Sequence, residues 1–331
     1  MPQIITDNDL PELINTPSKR AMKANQLAIK HLGIGVKSVD KPPPQGVFSR
    51  TMFLTLENDR KVVIQFRTEP LDLDAFKIAK EVLGSVVPYA RALRDEELER
   101  QRAWASLFPR MPGETWFQGV AGRRAADRIA INKSLGRIFS KGFLADNSSK
   151  AVDILRFRLR TLLTSQLEQI RPHRDTIKGF LNNIEELARL PMWIAHNDLN
   201  EMNVLVDKNC TVTALVDWEL STPLPFGVGF GRIHTLAGEL IKGEFRMPAE
   251  FEMAERGFWD ELFGGMSKET RKMLEEHINL VQDAVILGTL LDCFFFQDSG
   301  DWGCTARLTV LPKFLTYRIP FVRGNEPPYK D

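Results

Sequence analysis

Apolar and polar positions follow two different periods along the chain. Between residues 47 and 67 they alternate with the two-residue period of strands. VFSRTMFLTLE (47–57) reads as one strand, Asn58 and Asp59 as a tight turn, and RKVVIQFR (60–67) as the returning strand. Before this hairpin, residues 7–33 read as a helix with Gly33 and Gly35 as stop signals, and KPPPQG (41–46) reads as a loop. After it, Pro70 and Asp72 precede the helical run DLDAFKIAKEVLG, closed by Gly84. SVVPYARAL (85–93) and AWASLF (103–108) read as strands on either side of the charge run RDEELERQR (94–102), which suits a solvated turn or short helix. PRMPGETW (109–116) reads as a connection. The period then becomes that of helices over 124–143, 152–169 and 172–190. Loop chemistry dominates 196–231 around two short strands, NVLVD and TVTALVD, and helical patterns return at 248–257, 268–296 and 306–317. The predicted order is a small β-rich part, a short connection and a large helical part.

Composition narrows the function classes. The 331 residues suffice for two domains or one large bilobed unit, and 43% hydrophobic with 26% charged residues is ordinary for a soluble globular protein. A formal net charge of +1 supplies no overall field for nucleic acid or an anionic membrane. Cys210, Cys293 and Cys304 form no C-x-x-C pair and no zinc spacing, and scattered thiols suit a reducing compartment. The first twenty residues have no apolar core of a secretory signal. The apolar stretch 278–296 is interrupted by Gln282, Asp283 and Asp292 and reads as a buried helix rather than a membrane span. The expectation is a soluble, cytoplasmic protein without nucleic-acid or membrane partners.

The chemistry concentrates in IAHNDLNEMNVLVD and the following TALVDWE. Asp198 and Asn203 are five residues apart in a loop before an apolar strand, and a second strand delivers Asp217. Two such strands side by side bring the three polar groups together. Phosphoryl transfer needs this set: one carboxylate to orient the attacking hydroxyl and accept its proton, and an amide with a second carboxylate to hold Mg²⁺ against nucleotide phosphates. Each residue has a plainer reading, Asp198 and Asn203 as turn formers and Asp217 as a helix cap. Their joint occurrence beside apolar strands favours the site.

H-x-D-x-x-x-x-N followed by D-W-E resembles the catalytic and metal loops of the aminoglycoside phosphotransferase and choline kinase superfamily, and the wider match is similar to fungal phosphotransferase-family proteins. The resemblance covers nearly the whole chain and is sharp from about 190 to 240. It implies an α+β, bilobal protein-kinase-like fold, with a small β-rich N-lobe over 1–110 and a large helical C-lobe over 111–331. It implies ATP and Mg²⁺ as cofactors and a small-molecule hydroxyl as acceptor. It implies Asp198 as catalytic base, Asn203 and Asp217 as metal ligands, and His196 as the structural anchor of the loop.

On the nucleotide side, QGVFSRTMFLTLE resembles the family's first hairpin. Gly46 permits close backbone approach and Ser49 can donate to a phosphate, although one glycine also makes a plain turn. Kinases place a lysine in the third strand for the α- and β-phosphates; here that position is Gln65. Lys61, Val63 and Arg67 share its strand face, so Arg67 is a phosphate candidate, with Arg50 on the neighbouring strand another. LFPRMPG resembles the family's hinge, which implies adenine contacts from the carbonyl of Pro109 and the N–H of Met111. For the acceptor, Glu201, Glu219, Glu239 and Asp292 are candidates for an acidic wall facing a cation. Trp218, Trp259 and Phe294–Phe296 are candidates for aromatic surface, with the core as the plainer place for the phenylalanines. GVGFGRIH (227–234) reads as a loop near the metal, and Arg232 and His234 within it as candidates to touch phosphate or substrate. The leading function is an ATP- and Mg²⁺-dependent small-molecule kinase. The alternative, motivated by Gln65 and the single glycine, is a repurposed or inactive kinase fold that binds a nucleotide or metabolite without phosphoryl transfer. A protein kinase fits less well, because D-W-E stands where D-F-G would and no A-P-E-like segment follows.

Overall fold

The computed structural model describes residues 3–40, 45–119, 125–146, 148–219, 221–296, 300 and 302–330. The chain divides into two compact units, Met1–Lys80 with Val87–Pro112, and Glu81–Val86 with Gly113–Asp331. Lys41–Pro44 of the expected first loop and Arg124, the expected start of a helix, lie outside the described residues.

The first unit is built on an antiparallel sheet. Its elements are helix α1 (Pro17–Leu32), strands β1 (Val36–Val39), β2 (Arg50–Leu56) and β3 (Lys61–Arg67), helix α2 (Leu73–Leu83), β4 (Arg91–Leu93), helix α3 (Glu96–Arg100) and β5 (Trp104–Pro109). The strand order is β1-β2-β3-β5-β4. Period-two patterning explains the core. Val62, Ile64 and Phe66 point to one face of β3 and pack with Met52, Leu54 and Leu56 of β2 against Ala24, Leu27 and Ala28 of α1. Gln65 and Arg67 stand on the opposite face. Residues 7–33 are not one helix. Two short 3₁₀ turns, Asp7–Asp9 and Glu12–Ile14, precede α1. Pro11 and Pro17 disfavour helix at the residues before them, so α1 starts at Pro17, capped by the Thr16 hydroxyl accepting from Lys19 N–H. The expected strand 85–93 shrinks to its last three residues, since Gly84–Val86 form a 3₁₀ turn.

The second unit is mainly helical. After β6 (Glu114–Thr115) come α4 (Trp116–Gly119), α5 (Ala125–Phe139), β7 (Phe143–Leu144), α6 (Ser149–Thr164), α7 (Arg174–Asn182) and β8 (Met192–Trp193). The functional segment contributes β9 (Val204–Val206), β10 (Val212–Leu215), β11 (Leu224–Pro225) and α8 (Ile233–Ala237). Then follow β12 (Glu239–Ile241), β13 (Glu244–Arg246), α9 (Phe251–Gly264), α10 (Lys268–Glu276), α11 (Ile278–Asp292), β14 (Phe294–Phe296), β15 (Trp302–Cys304), α12 (Leu311–Phe314) and α13 (Pro320–Arg323). The helix expected over 268–296 is interrupted at His277 and stops at Asp292. The three phenylalanines leave it as a strand, paired antiparallel with β15. Their β-preference outweighs continuation of the helix. Only Phe294 is core; Phe295 and Phe296 are 44% and 57% exposed, so the expectation of a buried triplet holds for one residue of three. The core behind the functional segment is aromatic. Phe230 meets Phe139, Phe258 and Trp259 edge to face at ring-centre distances of 5.8, 5.6 and 5.8 Å.

A buried ion pair ties α9 to the C-terminal segment. Glu255 and Arg323 have side chains 0% exposed and meet at 2.6 Å, and Tyr317 Oη donates to Glu255 at 2.5 Å. Tyr317 in turn accepts from Trp259 Nε1 at 2.9 Å. Removing one partner strands the other charge without solvent. Arg323→Met is expected to cost about 3–5 kcal/mol in urea unfolding, and the double variant Glu255→Leu with Arg323→Met to regain most of that loss.

Candidate active site

The loop between β8 and β9 holds its own shape. Leu199 N–H donates to His196 O at 3.1 Å, and Asn203 N–H to Asn200 O at 3.0 Å. Asn200 caps the turn, accepting from Met202 N–H at 2.8 Å and donating to Asp198 O at 2.9 Å. His196 is 2% exposed, and its Nε2 donates to Val216 O at 2.8 Å, which leaves Nδ1 bare and buried. Burial pulls its pKa down to about 4, against smaller upward pulls from the Val216 carbonyl and Asp198, so the ring is neutral near pH 7. It rests on Trp218 with ring centres 4.6 Å apart. His196 therefore joins the loop to the next strand as expected and carries no proton chemistry.

Asp198 and Asn203 meet directly. Asn203 Nδ2 donates to Asp198 Oδ2 at 3.0 Å and to Asp198 O at 2.8 Å. Spending the amide nitrogen this way leaves Oδ1 as the atom that Asn203 can offer a cation. β9 and β10 are antiparallel, with Leu215 opposite Val204, and Val216 N–H donates to Asn203 O at 2.9 Å. Asp217 follows at once, exposed and with φ of 65°. The left-handed region is uncommon for a residue with a side chain, and Asp tolerates it better than most. Such held strain at the end of a strand is typical of functional positions. Glu219, two residues on, is half-buried. Among the described residues no group of three or more His, Cys, Asp or Glu side chains forms a metal cage. One amide oxygen and one carboxylate fit Mg²⁺, which keeps several waters and takes few protein ligands beside substrate phosphates.

The glycine-rich run packs closely against α11. Gly231 lies against Gly288 of α11 so closely that a Cβ on Gly231 would sit 2.3 Å from the Gly288 carbonyl carbon, and one on Gly288 2.0 Å from Val228 O. Thr289 Oγ1 sits beside this approach, 3.2 Å from Gly231 O and 2.9 Å from Val285 O, the two carbonyls competing for its one proton. Arg232 is thereby placed between two carboxylates. Its Nη1 donates to Asp198 Oδ1 and its Nε to Asp292 Oδ1, both at 2.6 Å, and Arg307 Nη1 donates to Asp292 Oδ2 at 2.6 Å. Burial disfavours the Arg232 charge, yet Asp292 and Asp198 outweigh it and raise its pKa. Arg232 thus touches the candidate base. His234 is fully enclosed, hydrogen-bonded to Tyr329 Oη at 2.8 Å and Thr289 Oγ1 at 3.0 Å and stacked on Phe314, which rules it out as a substrate contact.

Of the four carboxylates expected to face a cation, two are paired with arginines. Asp292 is neutralised by two arginines, and Glu239 pairs with Arg128 at 2.8 Å. Glu201 is half-buried; burial raises its pKa, with Arg128 opposing and Glu239 reinforcing the shift. Trp218 and Trp259 are core residues at 0% exposure rather than an aromatic surface.

In the first unit, the expected nucleotide residues fall along β2, β3 and the end of β5. Gln65 is half-buried, opposite Thr51 and Ser106 in the sheet, and its Nε2 donates to Thr51 Oγ1 at 3.3 Å. Arg67 ends the same face and is 4% exposed. Ser49 is nearly buried, and Gly46 has open space where a Cβ would stand, so packing does not demand glycine there. Arg50 is excluded as a phosphate candidate. Its guanidinium is spent on Asp7 at 3.0 Å and on the carbonyls of Ile4, Gly46 and Ser49. Pro109 pairs opposite Val62, and the N–H of Met111 has no partner among the described residues.

Residues 40–249 match the phosphotransferase enzyme family, and the chain belongs to it. No curated protein matches the chain in sequence. Its fold is that of solved small-molecule kinases. The *Plasmodium vivax* ethanolamine kinase superposes with a TM-score of 0.55 at 13% identity, over 82% of this chain and 80% of that one. The aminoglycoside phosphotransferase APH(4)-Ia superposes with a TM-score of 0.54 at 14% identity, over 82% and 88% of the two chains. A thermostable mutant of that enzyme, solved with AMP-PNP and hygromycin B, gives 0.52 at 13% identity, over 82% and 89%. The α+β architecture, with a β-rich N-terminal part and a helical C-terminal part, is therefore the kinase-like one that the motifs implied.

The burial of His234 has a pH consequence. Its folded pKa is about 3 against an ordinary 6.5, so the unfolded chain takes up the proton first. The stability it confers is complete above pH 6.5 and is lost as pH falls from there toward 3. Urea midpoints measured between pH 7.5 and 4.5 are expected to fall for the wild type. His234→Asn is expected to start lower at pH 7.5 and to decline less steeply.

Proposed function

We propose that the chain is an ATP- and Mg²⁺-dependent kinase of a small molecule, transferring the γ-phosphate to an acceptor hydroxyl. The observation that carries this reading is the Asp198–Asn203 hydrogen-bonded pair, tied through Val216 to the strand end that presents Asp217. In this reading Asp198 orients the acceptor hydroxyl and accepts its proton as the oxygen attacks phosphorus in line. Asn203 Oδ1 and the Asp217 carboxylate hold Mg²⁺, which when bound neutralises charge on the nucleotide phosphates. His196 stays neutral and keeps the loop against Val216 O.

For the nucleotide, the first unit offers Gly46, Ser49, Gln65 and Arg67 to the phosphates, and the Pro109 carbonyl and Met111 N–H to adenine. The fold of a relative crystallised with AMP-PNP supports nucleotide use. Family membership supports a small-molecule acceptor. The second reading, a kinase fold that binds without transferring, rests on Gln65. A neutral amide already bonded to Thr51 contributes about 0.5–1.5 kcal/mol to a phosphate contact, where a charged group contributes about 1.5–3.

Calorimetric titration with ATP, with and without Mg²⁺, followed by ADP release across a panel of hydroxyl compounds, separates the two. The kinase reading expects Mg²⁺-dependent binding and acceptor-dependent turnover. Asp198→Ala is expected to lower turnover by at least about 100-fold with little change in ATP binding. Asp217→Asn is expected to weaken binding only when Mg²⁺ is present. Acceptor-dependent ADP release that survives Asp198→Ala would refute the role given to that residue.

A further inference from the structure

Asp198 is held at both oxygens. Asn203 bonds Oδ2 from within the loop, and Arg232, just before α8, bonds Oδ1. Rotation of the carboxylate breaks one or both of these bonds, so its plane is fixed, while each oxygen retains a lone pair for an incoming hydroxyl. Arg232 is itself held. Its backbone follows the Gly231 contact with α11, and its Nε is anchored on Asp292, one helical turn beyond Gly288 on that same helix. Arg307 occupies the other oxygen of Asp292, so Asp292 cannot turn away. The side chains of Arg232, Asp292 and Arg307 are only 15%, 11% and 16% exposed. Asp198, Arg232, Asp292 and Arg307 form an alternating chain whose formal charges cancel. It therefore adds no net charge to the site, and it fixes the geometry of the Asp198 carboxylate.

We propose that Arg232 is a positioning residue for Asp198, aligning the carboxylate through a guanidinium fork braced by Asp292 and Arg307. This rests on the role given above to Asp198. Lysine preserves the charge but lacks the planar fork that spans two carboxylates at once, which makes Arg232→Lys the informative substitution. It is expected to lower kcat by roughly 100-fold, the scale of a small misplacement of a catalytic group, with ATP affinity and acceptor KM within about threefold of wild type. Asp292→Asn, which keeps Arg232 but loosens its anchor, is expected to lower kcat in the same sense and by less. A purely structural role would instead lower the melting temperature and leave kcat of the folded fraction unchanged, and that result overturns the proposal.

A second readout needs no turnover. The side-chain ¹⁵N resonances of Arg232 are expected to show hindered guanidinium rotation in the wild type, relieved by Asp198→Asn and by Asp292→Asn. If the wild type phosphorylates nothing in the panel, the kinase reading fails. The resonances then decide the tether alone: hindered rotation sustains it, and a freely averaging guanidinium in the wild type overturns it.

Discussion

A loop that does chemistry must satisfy its own backbone before it can present side chains, and here that constraint falls on one amide. Asn203 gives its side-chain nitrogen to Asp198 twice, once at the carbonyl and once at the carboxylate, while its own carbonyl receives Val216 N–H. The first two bonds close the turn and set the carboxylate. The third joins the turn to the strand that ends at Asp217. Because the nitrogen is committed inward, the oxygen is left for outward use. The different partners of the Asp198 carboxylate and the Asn203 amide oxygen follow from this single allocation of donors and acceptors.

Much of this was legible in the sequence, for a physical reason. Strand period, a turn-forming Asn-Asp and the grouping of Asp198, Asn203 and Asp217 around two apolar runs are local signals, and local signals survive translation into structure. β2, β3, β5, β9 and β10 all stand where their patterns place them. The errors share a cause as well. The helix expected over 7–33 ignored the two prolines that reset its start. The helix expected over 268–296 extended an apolar run past Asp292, where side-chain size and strand pairing take over.

The site residues that sequence reasoning misread depend on partners distant in the chain. Arg232 and Asp292 lie sixty residues apart, and neither has a neighbour in sequence that announces the other. The glycine run held the missing signal. GVGFGRIH reads in sequence as a loop, whereas the structure uses Gly231 for closeness, so that α11 can come near enough to place Asp292 opposite Arg232. Asp292 was counted as free negative charge. Paired with two guanidiniums it has none to spare.

The contact between Gly231 and Gly288 also restricts how such a protein can diverge. A Cβ on Gly231 would meet the backbone of Gly288 and Thr289, and one on Gly288 would meet Val228 O, so neither position can acquire even a methyl group unless the backbones move apart. The spacing between α11 and the strand-end loops is not open to gradual revision. Changes of specificity in this lineage are expected to arise around that fixed distance rather than through it, as furniture is rearranged within walls that do not move.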